Sequence, residues 1–235
     1  MKRCALKVDI QKAYDTVSWE FLKNILFHFG FHPIMIVWIM KCVFSSSFMV
    51  SINGDFHGYF EGKRGLRQGC PLSPYLFTLV METFNLLFQR KIQKENSFKY
   101  HWRCKDQKIT HLCFADDLMI FCHGNIASVK VIKDSLNEFA GIAGLHPNLS
   151  KSNIFFGNVN PRTKKNILDT LQFVEGKLPM RYLGIPLITT RLFVNDCKKL
   201  VEKVKTRIAD WKNKLLSYAG RLQLISSVLS SFPVY

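Results

Sequence analysis

Residues 111–121 read HLCFADDLMIF, in which two apolar runs, Thr110 to Phe114 and Leu118 to Cys122, pinch Ala115, Asp116 and Asp117 between them. Short apolar runs on either side of a tight turn predict a β-hairpin with the carboxylates at its tip. Adjacent carboxylates repel, and crowding them is costly unless a cation neutralises them. Two readings stay open at this point. One is a solvated turn kept polar for solubility. The other is an oxygen-ligand site for a divalent ion such as Mg²⁺, which takes carboxylates together with substrate phosphates. A distant acidic residue bears on the choice. Asp9 stands near the end of the apolar run Ala5 to Ile10, a short buried strand in which an unpaired carboxylate is expensive. If that strand lies beside the hairpin, Asp9 and Asp116 face one another and can hold two ions about 3.5–4 Å apart, the spacing used in phosphoryl transfer. Asp15 lies outside the strand and is read as structural, capping a helix or pairing with a basic neighbour.

Outward from these carboxylates the pattern alternates between helix and strand. Ser18 is an N-cap for a helix over Trp19 to Phe29 that Gly30 closes, and a second helix follows Pro33 to about Phe44. Asn53-Gly54 between Phe48–Ile52 and Phe56–Phe60 is a strong hairpin signal. Glu61 to Pro74 (EGKRGLRQGCPLSP) is a glycine-containing loop with three basic side chains and Gln68, able to cradle a nucleotide or template strand. A long helix follows from Tyr75 to about Gln93. After the acidic hairpin come a helix over Ala127 to Ala143 stopped by Gly144, a strand over Asn153 to Phe156 and a helix over Arg162 to Leu171. A lysine-rich helix then runs over Val194 to Leu216, and Gly220 separates it from a last helix. The class is α+β: a βαβ-like core to about Phe156, then a more helical, basic C-terminal part.

Composition narrows the function. Of 235 residues, 48% are apolar and 21% charged, and the chain holds 20 Phe, which excludes a disordered tail. Lys and Arg number 33 against 17 Asp and Glu, a net charge of +16, so a polyanionic partner is expected, nucleic acid first. The longest apolar run, Ile34 to Met40, is far too short to span a membrane. Seven scattered cysteines with no CxxC pair fit reduced thiols in an intracellular protein and argue against a disulfide framework or a zinc site.

In order, LKVDIQKAYDTVSW (6–19), GLRQGCPLSPYLF (65–77), HLCFADDLMIF (111–121), GLHPNLSKS (144–152) and RYLGIPL (181–187) resemble the reverse transcriptase domain of LINE-type (non-LTR) retrotransposons, especially plant elements. The tail from Asp210 is similar to the thumb region of that family. The resemblance implies a right-hand polymerase palm, a small antiparallel sheet backed by helices, over residues 1–187, and a truncated helical thumb over 188–235. It implies a metal-binding, catalytic triad of Asp9, Asp116 and Asp117, with the Ile10 carbonyl as an extra ligand, for two Mg²⁺ ions or Mn²⁺. It implies Tyr14 under the incoming sugar, excluding a 2′-hydroxyl, and Gln68 and Gly69 lining the nucleotide pocket. Lys151 is expected beside the leaving pyrophosphate, and Tyr182, Leu183 and Gly184 at the primer end. RNA template, DNA primer and deoxynucleotides are the partners it implies, in the nucleus or cytoplasm. Lys198, Lys199, Lys203, Lys205, Arg207, Lys212 and Lys214 are read as backbone-phosphate contacts, against the alternative of a solvated helical face.

Met1 stands eight residues before Asp9, so the fingers region that precedes the first palm strand in this family is expected to be absent, and the chain is read as a fragment. Three functional readings follow. The first is an RNA-directed DNA polymerase. The second is a catalytically inactive remnant that still binds nucleic acid. The third is an RNA-dependent RNA polymerase, which shares the paired-aspartate hairpin but is disfavoured by Tyr14 and the FADD context.

Overall fold

The computed structural model describes residues 1–183, 185–187, 198–212 and 217–229. Gly184 and Lys214 lie outside them. The chain divides into two compact units, Met1–Gly176 and Lys177–Tyr235.

In the first unit β1 (Arg3–Asp9) alternates strictly: Cys4, Leu6 and Val8 are buried, while Ala5, Lys7 and Asp9 are half-exposed on the other face, the period-two pattern of a strand with one covered face. Three helices follow: α1 (Ala13–Thr16), α2 (Trp19–His28) and α3 (Pro33–Phe44). The Ser18 hydroxyl caps α2 by accepting the Phe21 N–H, and Pro33 opens α3. The hairpin β2 (Ser47–Ile52) and β3 (Asp55–Glu61) turns at Asn53 and Gly54, both at positive φ (52° and 95°). Every residue of both strands is exposed.

Then come α4 (Ser73–Glu95), β4 (His111–Phe114), β5 (Asp117–Cys122), α5 (Ile126–Ala143), β6 (Asn153–Gly157), α6 (Pro161–Leu171) and the two-residue β7 (Val174–Glu175). The five-stranded sheet has the order β4-β5-β1-β6-β7. β1 pairs antiparallel with both β5 and β6, and β6 with β7 in parallel. The βαβ-like expectation takes a split form. β4 runs in the direction of β1, as a crossover through helices requires, but the tight hairpin folds β5 back between them. Likewise β5 and β6 run alike with β1 inserted, a split βαβ arrangement. The result is the small, mostly antiparallel sheet backed by helices that was expected.

Leu6, Val8, Ile120 and Ile154 from the sheet join Phe77, Val80, Phe84 and Phe88 of α4 and Val129, Ile132 and Phe139 of α5 in one core. Phe84 packs edge-on against Phe139, ring centroids 5.3 Å apart. Gly144 ends α5 at φ 78°, as its position predicts.

In the second unit β8 (Met180–Tyr182) and β9 (Ile185–Leu187) pair antiparallel. The helices α7 (Lys198–Lys212) and α8 (Tyr218–Leu224) follow, with a π-helical turn over Ile225–Leu229. Gly220 does not separate helices: it lies inside α8, which the Ser217 hydroxyl caps by accepting the Gly220 N–H. Among the described residues no helix is long and apolar enough to cross a membrane.

Candidate active site

The acidic end of the sheet is assembled by register. Asp9, last in β1, is the direct partner of Asp117, first in β5, and Asp117 in turn pairs with Phe114. Directly opposed residues of an antiparallel pair project to the same face, so Asp9 and Asp117 share the half-exposed side. The turn is thus only Ala115 and Asp116, and Asp117 belongs to the strand instead of the tip. The residue facing Asp9 across the strands is Asp117, a correction to the expected pairing of Asp9 with Asp116. It follows from a loop one residue shorter than the apolar runs imply. Ala115 takes φ 50°, a left-handed conformation that costs a residue with a Cβ about 1 kcal/mol or more; held strain of this kind concentrates at functional sites.

Asp116, exposed at the tip, is near Tyr14. The Tyr14 hydroxyl is pushed above its ordinary pKa by burial and by the negative charge of Asp116. Tyr14 itself, on α1, is fixed by stacking on Phe77 of α4, with centroids 4.6 Å apart and planes 18° from parallel. The three carboxylates named from the sequence therefore gather at one end of one sheet, with Tyr14 beside them. Lys7 lies on the same face and pairs with Asp117 at 3.4 Å.

The segment after α5 closes this end. Gln11 N–H donates to the His146 carbonyl and Asn148 N–H to the Asp9 carbonyl, which places Ile10, buried, in a bridge to Pro147. The Asp9 N–H donates to the Ser152 hydroxyl at 3.1 Å. Lys151 is thereby anchored one residue from a group that touches Asp9, its own N–H donating to Asn148 Oδ1. Gln68 and Gly69 stand in the loop before α4. Gln68 Nε2 donates to Asp15 Oδ1 at 3.2 Å, so Asp15 positions Gln68 where a basic partner was expected. Asp15, Gln68, Trp19, Lys63, Arg64 and Arg67 line a cleft of about 710 Å³. The role of Asp15 was missed because its partner is distant in the chain; its only sequence signal is its place shortly after Asp9.

Tyr182 and Leu183 are in the second unit: Tyr182 pairs with Ile185 and Leu183 turns the chain at φ 51°. Lys198, Lys199, Lys203, Lys205, Arg207 and Lys212 all fall on α7. At 100° per residue Lys198 and Lys205 form one stripe, and Lys203 and Arg207 another; all four are exposed.

Among the described residues no three His, Cys, Asp or Glu side chains are grouped as a metal ion requires. Asp9, Asp117 and the adjoining Asp116 are carboxylates, hard oxygen ligands of the kind Mg²⁺ and Mn²⁺ prefer, so the chemistry of the donor types fits such an ion.

Comparison with known proteins bears on this arrangement. The family model described as reverse transcriptase (RNA-dependent DNA polymerase) matches residues 1–187. The transposon TX1 uncharacterized 149 kDa protein of Xenopus laevis is 26% identical over 234 residues, covering 96% of this chain and 17% of its own length. The Pol polyprotein of the type-2 retrotransposable element R2DM of Drosophila melanogaster is 29% identical over 211 residues, 84% of this chain and 19% of its own. The chain thus spans less than a fifth of these relatives. Telomerase of Candida tropicalis, solved with a TWJ fragment of telomeric RNA, aligns over 99% of this chain and 39% of its own, with a TM-score of 0.53 and 14% identity. Telomerase of Candida albicans, solved with the same kind of fragment, gives a TM-score of 0.52, 14% identity and coverage of 100% and 39%. At that identity the likeness is one of fold, a polymerase palm and thumb. With the paired carboxylate strands, the helices behind them and the match over residues 1–187 all in agreement, the chain belongs to the reverse transcriptase (RNA-dependent DNA polymerase) family.

Proposed function

We propose that this chain carries the palm (residues 1–187) and the start of the thumb (188–235) of an RNA-directed DNA polymerase from a LINE-type element, plant-like in its motifs and part of a longer protein. The observation that carries the reading is the pairing of Asp9 with Asp117 while the turn delivers Asp116 beside Tyr14. The reaction is attack of a primer 3′-hydroxyl on the α-phosphorus of a deoxynucleotide, with pyrophosphate leaving. Enzymes of this family generally use divalent metal ions, and here Asp9, Asp116 and Asp117, with the Ile10 carbonyl, are the groups to hold Mg²⁺, which when bound neutralises charge on the attacking and leaving oxygens. Tyr14, pinned against Phe77, occupies the space of a ribose 2′-hydroxyl. Gln68, oriented by Asp15, and Gly69 line the nucleotide pocket. Lys151 offers its charge to the departing pyrophosphate. Tyr182, Leu183 and Gly184 hold the primer end, and the α7 cations with Lys214 hold backbone phosphates.

The test is primer extension on an RNA template with Mg²⁺, comparing the chain with Asp116→Ala. The variant is expected to lose about a thousandfold in rate, the scale of removing one preorganised electrostatic group. A second reading, nucleic-acid binding without polymerisation, is favoured by the Lys7–Asp117 ion pair, which sets a cation where a metal ligand is needed. It predicts equal extension signals from the two proteins, with salt-sensitive binding retained in both.

A further inference from the structure

The half-exposed sheet face that bears Asp9 and Asp117 has an opposite end. Arg3, first in β1 and exposed, stands six residues from Asp9 in the same alternating set, about 20 Å away at about 3.3 Å per residue. Arg3 is the register partner of Gly157 on β6, and a Cβ added to Gly157 would run into the Arg3 Cγ, Cδ and Nε. The bare glycine is what allows the arginine side chain to lie across the neighbouring strand.

A second arginine is brought to the same place by the loop between α4 and β4. The Arg103 guanidinium lies over the Trp102 ring, 4.7 Å from its centroid. His101, whose ring is 6.4 Å from that of Phe121 on β5, accepts the Arg103 N–H at Nδ1 at 3.3 Å. An imidazole nitrogen that accepts is unprotonated, and burial together with the positive charges of Arg3 and Arg103 lowers the His101 pKa. Burial and the two arginine charges thus disfavour a positive charge on His101. Neither arginine has a carboxylate within salt-bridge distance among the described residues. Lys99, Lys105 and Lys108 flank them, against the single acidic residue Asp106. Cations gathered without a counter-charge repel one another, and an anion relieves that cost.

We propose that this end of the sheet is a second nucleic-acid contact, in which Arg3 and Arg103 each hold a backbone phosphate beside the half-exposed ring of Trp102. It rests on the reading that the carboxylate end acts on nucleic acid. The guanidinium fork matches phosphate oxygens in a bidentate way, and an aromatic at the same spot stacks on bases or sugars, which favours nucleic acid over an acidic protein. About 20 Å is the length of about six base pairs at 3.4 Å each, so one strand engaged at Asp9 reaches both ends.

The test is fluorescence anisotropy with labelled single strands of about 20 nucleotides, one RNA and one DNA, across a salt series. The Arg3→Ala/Arg103→Ala double variant is expected to reduce the slope of log K against log salt by about 1.4, about 0.7 for each contact. The Arg3→Lys/Arg103→Lys variant retains the slope, which separates charge from folding, and Gly157→Ala loses about half of the effect by displacing Arg3. A change with RNA alone assigns the phosphates to a template, with DNA alone to a primer, and with both to either strand. An unchanged slope in the double alanine variant overturns the proposal. So does equal loss in the alanine and lysine variants, and so does polyglutamate competing as well as RNA at matched charge. Asp116→Ala leaves this slope intact while removing extension, so failure of polymerisation and failure of this contact read separately.

Discussion

Gly65 and Gly69 bracket one short turn of the loop before α4, both at positive φ (89° and 86°), yet their surroundings differ. Nothing lies within 4 Å of a Cβ built at Gly69, whereas at Gly65 the Asp15 carbonyl oxygen would be 2.5 Å away. The Gly65 backbone is also held on both sides, its N–H donating to the Val17 carbonyl at 2.8 Å and its carbonyl accepting from Trp19 Nε1 at 2.7 Å. Gly69→Ala is therefore expected to cost about 1 kcal/mol of left-handed strain, and Gly65→Ala about 3 kcal/mol or more, because main chain must move. Urea midpoints measure both, and equal losses would contradict the packing argument. The same loop shows what residue types alone convey. Its glycines and basic side chains announce a cradle, but the Asp15–Gln68 hydrogen bond joins positions 53 residues apart, and no local pattern encodes it. Tyr14 carries a further expectation: Tyr14→Val removes the ring stacked on Phe77 and raises ribonucleotide incorporation about tenfold or more, the scale of one steric contact at a substrate. Extension assays with each nucleotide class read it.

At the scale of elements, legibility followed local chemistry. α2, α3 and α5 were readable from Ser18, Pro33 and Gly144, and the β2–β3 hairpin from Asn53-Gly54, because caps and positive-φ turns are decided within a few residues. β7 was not readable: two residues make a strand only because β6 supplies a parallel partner. The place of Asp117 in β5 likewise depends on its pairing with Asp9 across the sheet. The joint of β4 with α4 yields a pH dependence. His111 packs against Phe84 and Phe88 (ring centroids 5.4 and 6.1 Å), and burial lowers its pKa, partly opposed by Glu82. The native state thus binds fewer protons than the unfolded chain once pH falls below the ordinary histidine value of about 6.5. Stability is full above that value and is lost as pH falls toward the lowered native pKa. His101 shifts in the same direction. Urea midpoints are expected to drop between about pH 7 and pH 5, and His111→Phe to flatten the fall in part, the remainder belonging to His101. A midpoint that rises on acidification contradicts the burial of His111.

For the whole molecule the decisive quantity is where charge and core lie. Lys177–Tyr235 holds eleven Lys and Arg against three Asp and Glu, a net +8, half of the total of +16 in a quarter of the chain. Among the described residues the buried apolar side chains fall in Met1–Gly176, Met180 excepted. The described core and the densest positive charge thus lie in different units. A chain ending at Gly176 keeps the packed sheet, α4 and α5, and the carboxylates of Asp9, Asp116 and Asp117. It is expected to unfold in a single cooperative transition, because the described residues it removes contribute little burial. Its binding to single-stranded RNA should show a salt slope reduced by about half, since each lost phosphate contact removes about 0.7 from that slope. Denaturant melts and anisotropy titrations on the same preparation read the two quantities separately. A truncated chain that melts without cooperativity would move part of the core into the second unit, and an unchanged salt slope would leave the α7 lysines as a solvated face.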